Sequence, residues 1–225
     1  MPISILKLAR RLAGERARPG RRTLVAAIDG LPGSGKTTLA RELCAALGRL
    51  GYTAACVSID DFYHGLRARA RLGISRWGPG AHELGLAGRL GRLKAGHTVS
   101  LPVFDKTLRD RAPRPRLVTG PVDFVLFEGF GVSLSSRGYA AFSKWIDIFW
   151  LLEAPEESCR KWRRLAGWRD RGGGGDRAAW RGEFSALWAA ALAQSGPVLR
   201  RARQRADLVL HVGAGHHIVK LKERK

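Results

Sequence analysis

The chain has 225 residues and a formal net charge of +21 at pH 7. This length suits one domain, residues 1–225, that buries a large core around a sheet. No run of about 18 apolar residues occurs and no signal-peptide pattern precedes Gly20, which predicts a cytoplasmic protein with no membrane partner. Cys44, Cys56 and Cys159 have neither metal nor redox spacing and predict a reducing compartment without a disulfide framework.

The positive charge has two interpretations. A charge of this size ordinarily indicates a nucleic acid or another polyanion as partner. Only nine of the 40 basic residues are lysines, and arginine is spread along the chain together with 28 glycines, as in a coding bias. Because no basic repeat or aromatic-interleaved platform occurs, we expect an anionic small molecule as partner and regard nucleic acid as disfavoured. A homodimer is left open.

The chain begins with a predicted amphipathic helix within residues 1–18. Apolar residues recur there at helical spacing among basic ones as far as Gly14. Such a helix is more typical of packing on its own domain than of binding a membrane surface.

The strongest pattern is GLPGSGKT at 30–37, which follows the apolar run 24–28 and precedes a helical pattern that reaches Leu50. It matches G-x-x-x-x-G-K-[ST] between a buried strand and a helix, where backbone N–H groups bind phosphate oxygens. Lys36 is expected to contact the β- and γ-phosphates of ATP, and the Thr37 hydroxyl to hold Mg²⁺. The predicted nucleotide-binding residues are Gly30, Gly33, Ser34, Gly35, Lys36, Thr37 and Thr38.

Two acids, Asp60 and Asp61, end the second predicted strand, 52–59. Ligands of open α/β sheets lie beyond the carboxyl ends of the strands, so either acid is placed to accept the proton of an attacking hydroxyl. The alternative for such a pair is a helix N-cap with a solvated neighbour. Asp60 is the predicted base, and Asp61 is expected to face elsewhere because successive side chains point in different directions.

The rest of the chain alternates between helical and strand patterns. In the middle, the predicted elements are an irregular stretch with at most a short helix at 65–80, a helix at 82–93, a short strand at 99–104, a loop at 105–115 and a buried strand at 122–127. Towards the C-terminus they are a strand at 146–152, helices at 156–166, 176–194 and 197–205, a last strand at 206–212 and a basic tail after His217. This alternation predicts an α/β fold with a doubly wound parallel sheet flanked by helices.

Glu128 follows the buried strand at 122–127, the position where P-loop enzymes place an acid that orients Mg²⁺ or its water. The alternative is a strand-end acid that caps the next turn, but the independent phosphate loop favours the functional interpretation. A histidine near the last strand is a candidate contact for adenine. Four tryptophans are expected mainly in the core, namely Trp162, Trp168, Trp180 and Trp188.

Six ordered stretches resemble P-loop small-molecule kinases of the uridine kinase, phosphoribulokinase and pantothenate kinase superfamily. They are IDG at 28–30 leading into the phosphate loop, SIDDFY at 58–63, PGAHEL at 79–84, LPVFDKT at 101–107, DR at 110–111 and FEG at 127–129. The resemblance is closest to the D-glycerate 3-kinase branch and includes a lid-like region at about 160–180. It implies the nucleoside and nucleotide kinase-like P-loop fold.

The resemblance also implies roles at matched positions. Asp60 would be the general base, and Lys36 and Thr37 would bind phosphate and Mg²⁺. Glu128 would be the acid that lies near the metal together with Thr37. Arg163 would be the lid arginine that covers the phosphates. The acceptor pocket would contain His82, Glu83, Asp105, Lys106 and Arg111. Asp61 and Tyr63 of the DDFY stretch are also predicted as acceptor residues. The chain departs from the branch at Ala81, Glu83 and Arg109.

The sequence therefore predicts an ATP- and Mg²⁺-dependent kinase that moves a γ-phosphate to a hydroxyl of a small metabolite. A glycerate-like anion is the favoured acceptor, since the acceptor loops are rich in arginine. One alternative is a uridine kinase-like nucleoside kinase. The other is a nucleotide-dependent ATPase or switch that binds nucleic acid, which would not need the DDFY stretch beside a separate acceptor region.

Overall fold

The computed structural model describes residues 2–17, 23–74, 80–83, 85, 87–134, 139–170 and 176–223. Within these ranges the α-helices are α1 (Ile5–Arg16), α2 (Lys36–Arg49), α3 (Leu66–Arg71), α4 (Ala87–Lys94), α5 (Ala140–Ser143), α6 (Glu156–Asp170) and α7 (Arg177–Arg205). The strands are β1 (Leu24–Gly30), β2 (Ala54–Ser58), β3 (Val99–Leu101), β4 (Phe104–Asp105), β5 (Asp110–Arg111), β6 (Arg116–Val118), β7 (Phe124–Glu128), β8 (Ile148–Glu153), β9 (Leu208–Val212) and β10 (Ile218–Glu223). Single 3-10 turns occur at Ile59–Phe62 and Ala214–His216.

A six-stranded sheet in the order β10-β9-β8-β1-β7-β2 forms the centre of the fold. The five strands from β9 to β2 are parallel, which confirms the predicted doubly wound arrangement. β10 pairs antiparallel with β9, so the prediction of a basic tail after His217 was wrong there. Exposed lysines such as Lys220 and Lys222 are typical of an edge strand and concealed its β pattern.

Helices cover the sheet on both faces, because successive side chains of each buried strand point to opposite sides. On one face, Leu24 and Ile28 of β1 lie in a core cluster with residues of α1 and α2. On the other face, Val25 and Ala27 lie in a second cluster with residues of α4, α5 and α7. Burial on both sides explains why the central strands read as continuous apolar runs.

The helix α1 lies within the predicted segment 1–18 and packs on the domain. Ser4 caps it, since the Ser4 Oγ accepts the Lys7 N–H at 3.3 Å. Its buried residues are Leu8, Ala9 and Leu12, which join the cluster that contains α2. Among the residues described, no helix is both long and apolar enough to cross a membrane.

Two predictions for the middle of the chain were wrong. The loop expected at 105–115 contains part of the β4–β5 hairpin, and β6 pairs with β3. These strands are two or three residues long, too short for a periodic pattern to show.

The helix expected at 82–93 begins only at Ala87, because His82 instead forms a β-bridge with Tyr63. Pro79 and Leu84 of the predicted acceptor region lie outside the described residues.

The helix α7 runs through Pro197 as one element, although two helices were predicted. Proline in a helix interior removes a backbone hydrogen bond and often breaks the helix. Here the buried Val198 and Ala202 hold the segment after the proline against the sheet. Packing of this segment therefore outweighs the local preference of the proline.

Candidate active site

The carboxyl ends of β1, β2 and β7 meet at one edge of the sheet. In the strand register, Glu128 of β7 lies opposite Ile28 of β1 on one side and Ser58 of β2 on the other. The segments that follow these strands line a cleft of about 1060 Å³. Ligand pockets usually measure about 300–1,000 Å³, so this cleft has room for two ligands of metabolite size.

The phosphate loop between β1 and α2 packs closely on α6. Gly33 and Gly35 have φ angles of 85° and 98°, in the left-handed region that favours glycine. A Cβ atom at Gly33 would lie 2.4 Å from the carbonyl oxygen of Cys159 on α6, so no larger residue fits. Of the predicted nucleotide-binding residues, those that line the cleft are Gly33, Gly35, Lys36, Thr37 and Thr38, while Gly30 and Ser34 are buried behind them.

Lys36 lies in the first turn of α2 and folds back over the loop. Its Nζ donates hydrogen bonds to the carbonyl oxygens of Gly30 at 2.9 Å and Leu31 at 3.0 Å. Burial lowers the pKa of this ammonium group, while the carboxylates of Glu128 and Asp29 act in the opposite direction. The side chain thus presents a cation beside the N-terminus of α2, and a helix N-terminus is a kind of site that favours anions such as phosphate.

Thr37 and Glu128 connect α2 to β7. The Thr37 Oγ1 donates a hydrogen bond to Glu128 Oε1 at 3.0 Å. Glu128 is only 4% exposed, and burial together with the charge of Asp60 raises the pKa of its carboxyl, against the effect of Lys36. A hydroxyl and a carboxylate are oxygen ligands of the kind that Mg²⁺ takes when nucleotide phosphates and water complete its coordination. The pair therefore fits a nucleotide-bound Mg²⁺.

Asp60 lies in the 3-10 turn that follows β2. The turn is capped by Ser58, whose Oγ accepts the Asp60 N–H at 3.3 Å. The Asp60 side chain is 36% exposed, and its Oδ2 lies 3.5 Å from the Nζ of Lys106. Both residues line the cleft. The structure thus places a partly exposed carboxylate, paired with a lysine, in the same cleft as the phosphate loop.

Asp61 also borders the cleft, but its carboxylate is tied to the neighbouring hairpin. Its Oδ1 accepts the Phe104 N–H of β4 at 3.2 Å. Burial is the main cause that raises the pKa of the Asp61 carboxyl. The two adjacent acids therefore occupy different environments, with Asp60 toward a cation and Asp61 toward backbone.

A packed group of side chains lies beside the 3-10 turn. The rings of Tyr63 and His82 stack with centroids 4.3 Å apart, and His82 Nδ1 lies 2.6 Å from Tyr139 Oη. Burial lowers the pKa of His82 to about 4, so this ring is neutral near pH 7. Arg111 forms a salt bridge with Glu83, and its Nε donates to the Tyr63 carbonyl oxygen at 2.9 Å.

The seven predicted acceptor residues therefore fall into two groups. Three of them line the cleft, namely Asp61, Tyr63 and Lys106. The other four bond to neighbouring protein groups in the framework around it, namely His82, Glu83, Asp105 and Arg111. Asp105, for example, accepts the N–H groups of Thr107 and Leu108 in the turn of the β4–β5 hairpin.

Arg163 lies on α6 and lines the cleft beside the phosphate loop. Its Nη1 is 3.6 Å from Asp170 Oδ2, near the end of the same helix. The predicted lid region at about 160–180 comprises the C-terminal part of α6 and the start of α7, while residues 171–175 lie outside the described part of the chain.

The sequence did not indicate the pairing of Trp162 with His216. Their rings stack with centroids 3.5 Å apart, and both line the cleft. His216 Nδ1 lies 2.9 Å from the position that a Cβ of Gly35 would take, so the stack adjoins the phosphate loop. The sequence predicted that a histidine near the last strand contacts adenine, and His216 lies in this region. Trp162, in contrast, was expected mainly in the core. An aromatic surface of this kind is suited to stacking a nucleotide base.

Asp29 is a second residue whose role the sequence did not reveal. It is fully buried at the end of β1. Its carboxylate accepts hydrogen bonds from the N–H groups of Gly30, Gly131 and Ser133 and from the Ser133 hydroxyl, at 2.6–3.0 Å. Asp29 therefore joins the start of the phosphate loop to the loop that follows Glu128.

Solved structures share this fold, although neither a family model nor a curated protein matches the chain. A candidate fructose transport system kinase from Silicibacter sp. TM1040 has a TM-score of 0.72 and 22% identity, over 91% of this chain and 96% of that protein. D-glycerate 3-kinase from Cryptococcus neoformans has a TM-score of 0.71 and 19% identity, over 98% and 96%. Phosphoribulokinase from Rhodobacter spheroides has a TM-score of 0.52 and 14% identity, over 85% and 71%. The chain has the P-loop kinase fold.

Proposed function

We propose that this protein is an ATP- and Mg²⁺-dependent kinase that transfers a γ-phosphate to a hydroxyl of a small metabolite. The observation that carries the proposal is that Lys36, Thr37 and the partly exposed carboxylate of Asp60 all line one cleft. Transfer to an alcohol needs an acceptor for its proton next to the phosphate site. The kinase names of the structural neighbours agree with this activity.

The nucleotide binds with its phosphates at the start of α2, where loop N–H groups and the ammonium of Lys36 neutralise their charge. The base stacks on the Trp162–His216 pair, which adjoins the loop. Arg163 contributes a further cation from α6. Thr37 and Glu128 would hold Mg²⁺, which would neutralise phosphate charge when bound.

Asp60 is the proposed base. As the acceptor oxygen attacks the γ-phosphorus, its proton passes to the Asp60 carboxylate, and the bond from phosphorus to the ADP oxygen breaks. The ammonium of Lys106 lies 3.5 Å from this carboxylate and is close enough to bind an anionic group of the acceptor. Tyr63, His82 and Arg111 pack beside the 3-10 turn that carries Asp60 and hold this turn in position.

The favoured acceptor is a small anion such as glycerate. Lys106 and Arg169 both line the cleft and are cations that can pair with an anionic acceptor. One neighbour is named as a D-glycerate 3-kinase, and a nucleoside acceptor is the second candidate. The cytoplasmic location and the homodimer stay predictions.

The test is a coupled assay of ADP release with a panel of hydroxy acids, sugars and nucleosides, with Lys36→Ala as the inactive control. We expect ADP release to depend on a hydroxy acid and the phosphorylated product to appear in equal amount by ³¹P NMR. ADP release that no acceptor increases, but that DNA stimulates, would contradict a kinase and support the ATPase alternative.

A further inference from the structure

Cys44 and Cys56 lie side by side where α2, the helix that follows the phosphate loop, packs on β2. Cys44 is on α2 and Cys56 is on β2, and their Sγ atoms are 2.7 Å apart. Both residues are partly exposed. The separation of 12 positions matches no redox motif, so only the packing of α2 on β2 brings the two thiols together.

The two cysteines differ in their surroundings. The hydrogen bond from Cys44, together with the positive charges of Arg116 and Arg41, lowers the pKa of Cys56. The same hydrogen bond and burial raise the pKa of Cys44. Cys56 is therefore the thiol that ionises first, and Cys44 is the donor that stabilises its thiolate. The protonated Cys56 thiol also donates to the Ala40 carbonyl oxygen at 3.2 Å.

The geometry points to Cys44 and Cys56 as a modification site, at which a low-molecular-weight disulfide of the glutathione class converts the two thiols into an intramolecular disulfide. An S–S bond measures about 2.05 Å, so the sulfur atoms need to move together only slightly. Because the site lies outside the cleft, this inference does not depend on the proposed kinase activity.

The exchange proceeds in two steps. The Cys56 thiolate attacks one sulfur of the small disulfide, forms a mixed disulfide and releases one small thiolate, which takes up a proton. Cys44 then loses its proton, and its sulfur attacks the Cys56 sulfur and displaces the second small thiol. Two electrons pass from the cysteine pair to the small disulfide, which leaves as two thiols.

The bond would join the two elements that carry the opposite sides of the active site. α2 begins at Lys36, and β2 ends at Ser58, two residues before Asp60. Arg116 also donates to the Cys56 carbonyl oxygen at 2.7 Å, which ties β6 to the same strand. A cross-link here therefore restrains movement between the nucleotide side and the base side of the cleft.

The experiment treats the purified full chain with oxidised glutathione and measures its intact mass. The chain is then unfolded, its remaining thiols are alkylated, and the cysteines are mapped by mass spectrometry. We expect the intact mass to fall by two hydrogen atoms, a peptide pair joined through Cys44 and Cys56, and an alkylated Cys159. Dithiothreitol should restore both thiols. Alkylation of both Cys44 and Cys56 after oxidation, or glutathione bound to each of them separately, would overturn the proposal.

Single serine variants test the order of the steps. Cys44→Ser should stop at the mixed disulfide and keep one glutathionyl group on Cys56, while Cys159→Ser should behave as the wild type. Cys56→Ser should take up glutathione on Cys44 more slowly, because burial raises the pKa of Cys44. Faster uptake by Cys56→Ser than by Cys44→Ser would contradict the assignment of Cys56 as the attacking thiol.

Discussion

Lys36 is the residue whose loss tests the nucleotide site most directly. Its Nζ is the cation at the phosphate loop, and it is held there by two carbonyl oxygens. Lys36→Ala should lower kcat by at least about 10²-fold, the loss typical of removing one preorganised charged donor. Steady-state kinetics measure this, with circular dichroism as the control for folding. A variant with a near wild-type rate would contradict the phosphate-loop assignment.

Asp60 and Asp61 give a matched pair for testing the base. Asp60→Asn should lower kcat by about 10²–10⁴-fold, the usual contribution of a general base, with ATP affinity nearly intact. Asp61→Asn should do much less, since an amide oxygen can still accept the Phe104 N–H. Equal losses in kcat, or a loss confined to ATP binding in Asp60→Asn, would exclude Asp60 as the base.

The stack of Trp162 on His216 predicts where the nucleotide base binds. Trp162→Ala should weaken ADP binding by about 5- to 150-fold, because stacking of a base on an aromatic ring contributes about 1–3 kcal/mol. Isothermal titration calorimetry measures the affinity. Trp168→Ala is the control on the same helix, where the ring contacts Arg177 instead. Similar affinities in the two variants would place the base elsewhere.

The Asp29 carboxylate joins the phosphate loop to the loop after β7. Asp29→Ala would leave several buried N–H groups without an acceptor, among them those of Gly131 and Ser133. We expect a loss of about 3 kcal/mol in the free energy of unfolding. Urea denaturation measures it, and Asp176→Ala, which removes an exposed N-cap of α7, should cost only about 1 kcal/mol. Equal losses would show that the buried network contributes little.

Among the secondary-structure elements, long periodic segments were predictable and short ones were not. The central strands β1, β7 and β8 appeared as apolar runs within two residues of their observed limits. The β4–β5 hairpin has strands of two residues each, whose stability depends on contacts such as the Asp61 bond to Phe104. Such contacts join distant parts of the chain, and local patterns carry no information about them.

The net charge of +21 makes DNA binding a property to be measured for the whole molecule. If the charge is mainly compositional, affinity for random duplex DNA should fall by about 10³–10⁵-fold between roughly 50 and 200 mM salt, as binding through 6–10 phosphates does. Fluorescence anisotropy over a salt series measures this. Tight, sequence-selective binding that persists at high salt would favour the nucleic-acid alternative.

The sequence by itself determined the phosphate loop, the acids at the ends of β2 and β7, and the parallel sheet that carries them. These features are local, because a glycine-rich turn between a strand and a helix specifies its own geometry and an apolar run specifies burial. The tertiary structure alone decided which acid faces Lys106, which aromatic rings border the phosphate loop, and that Cys44 meets Cys56. Each of these depends on packing between segments far apart in the chain, and side-chain contacts across such distances follow from the fold as a whole.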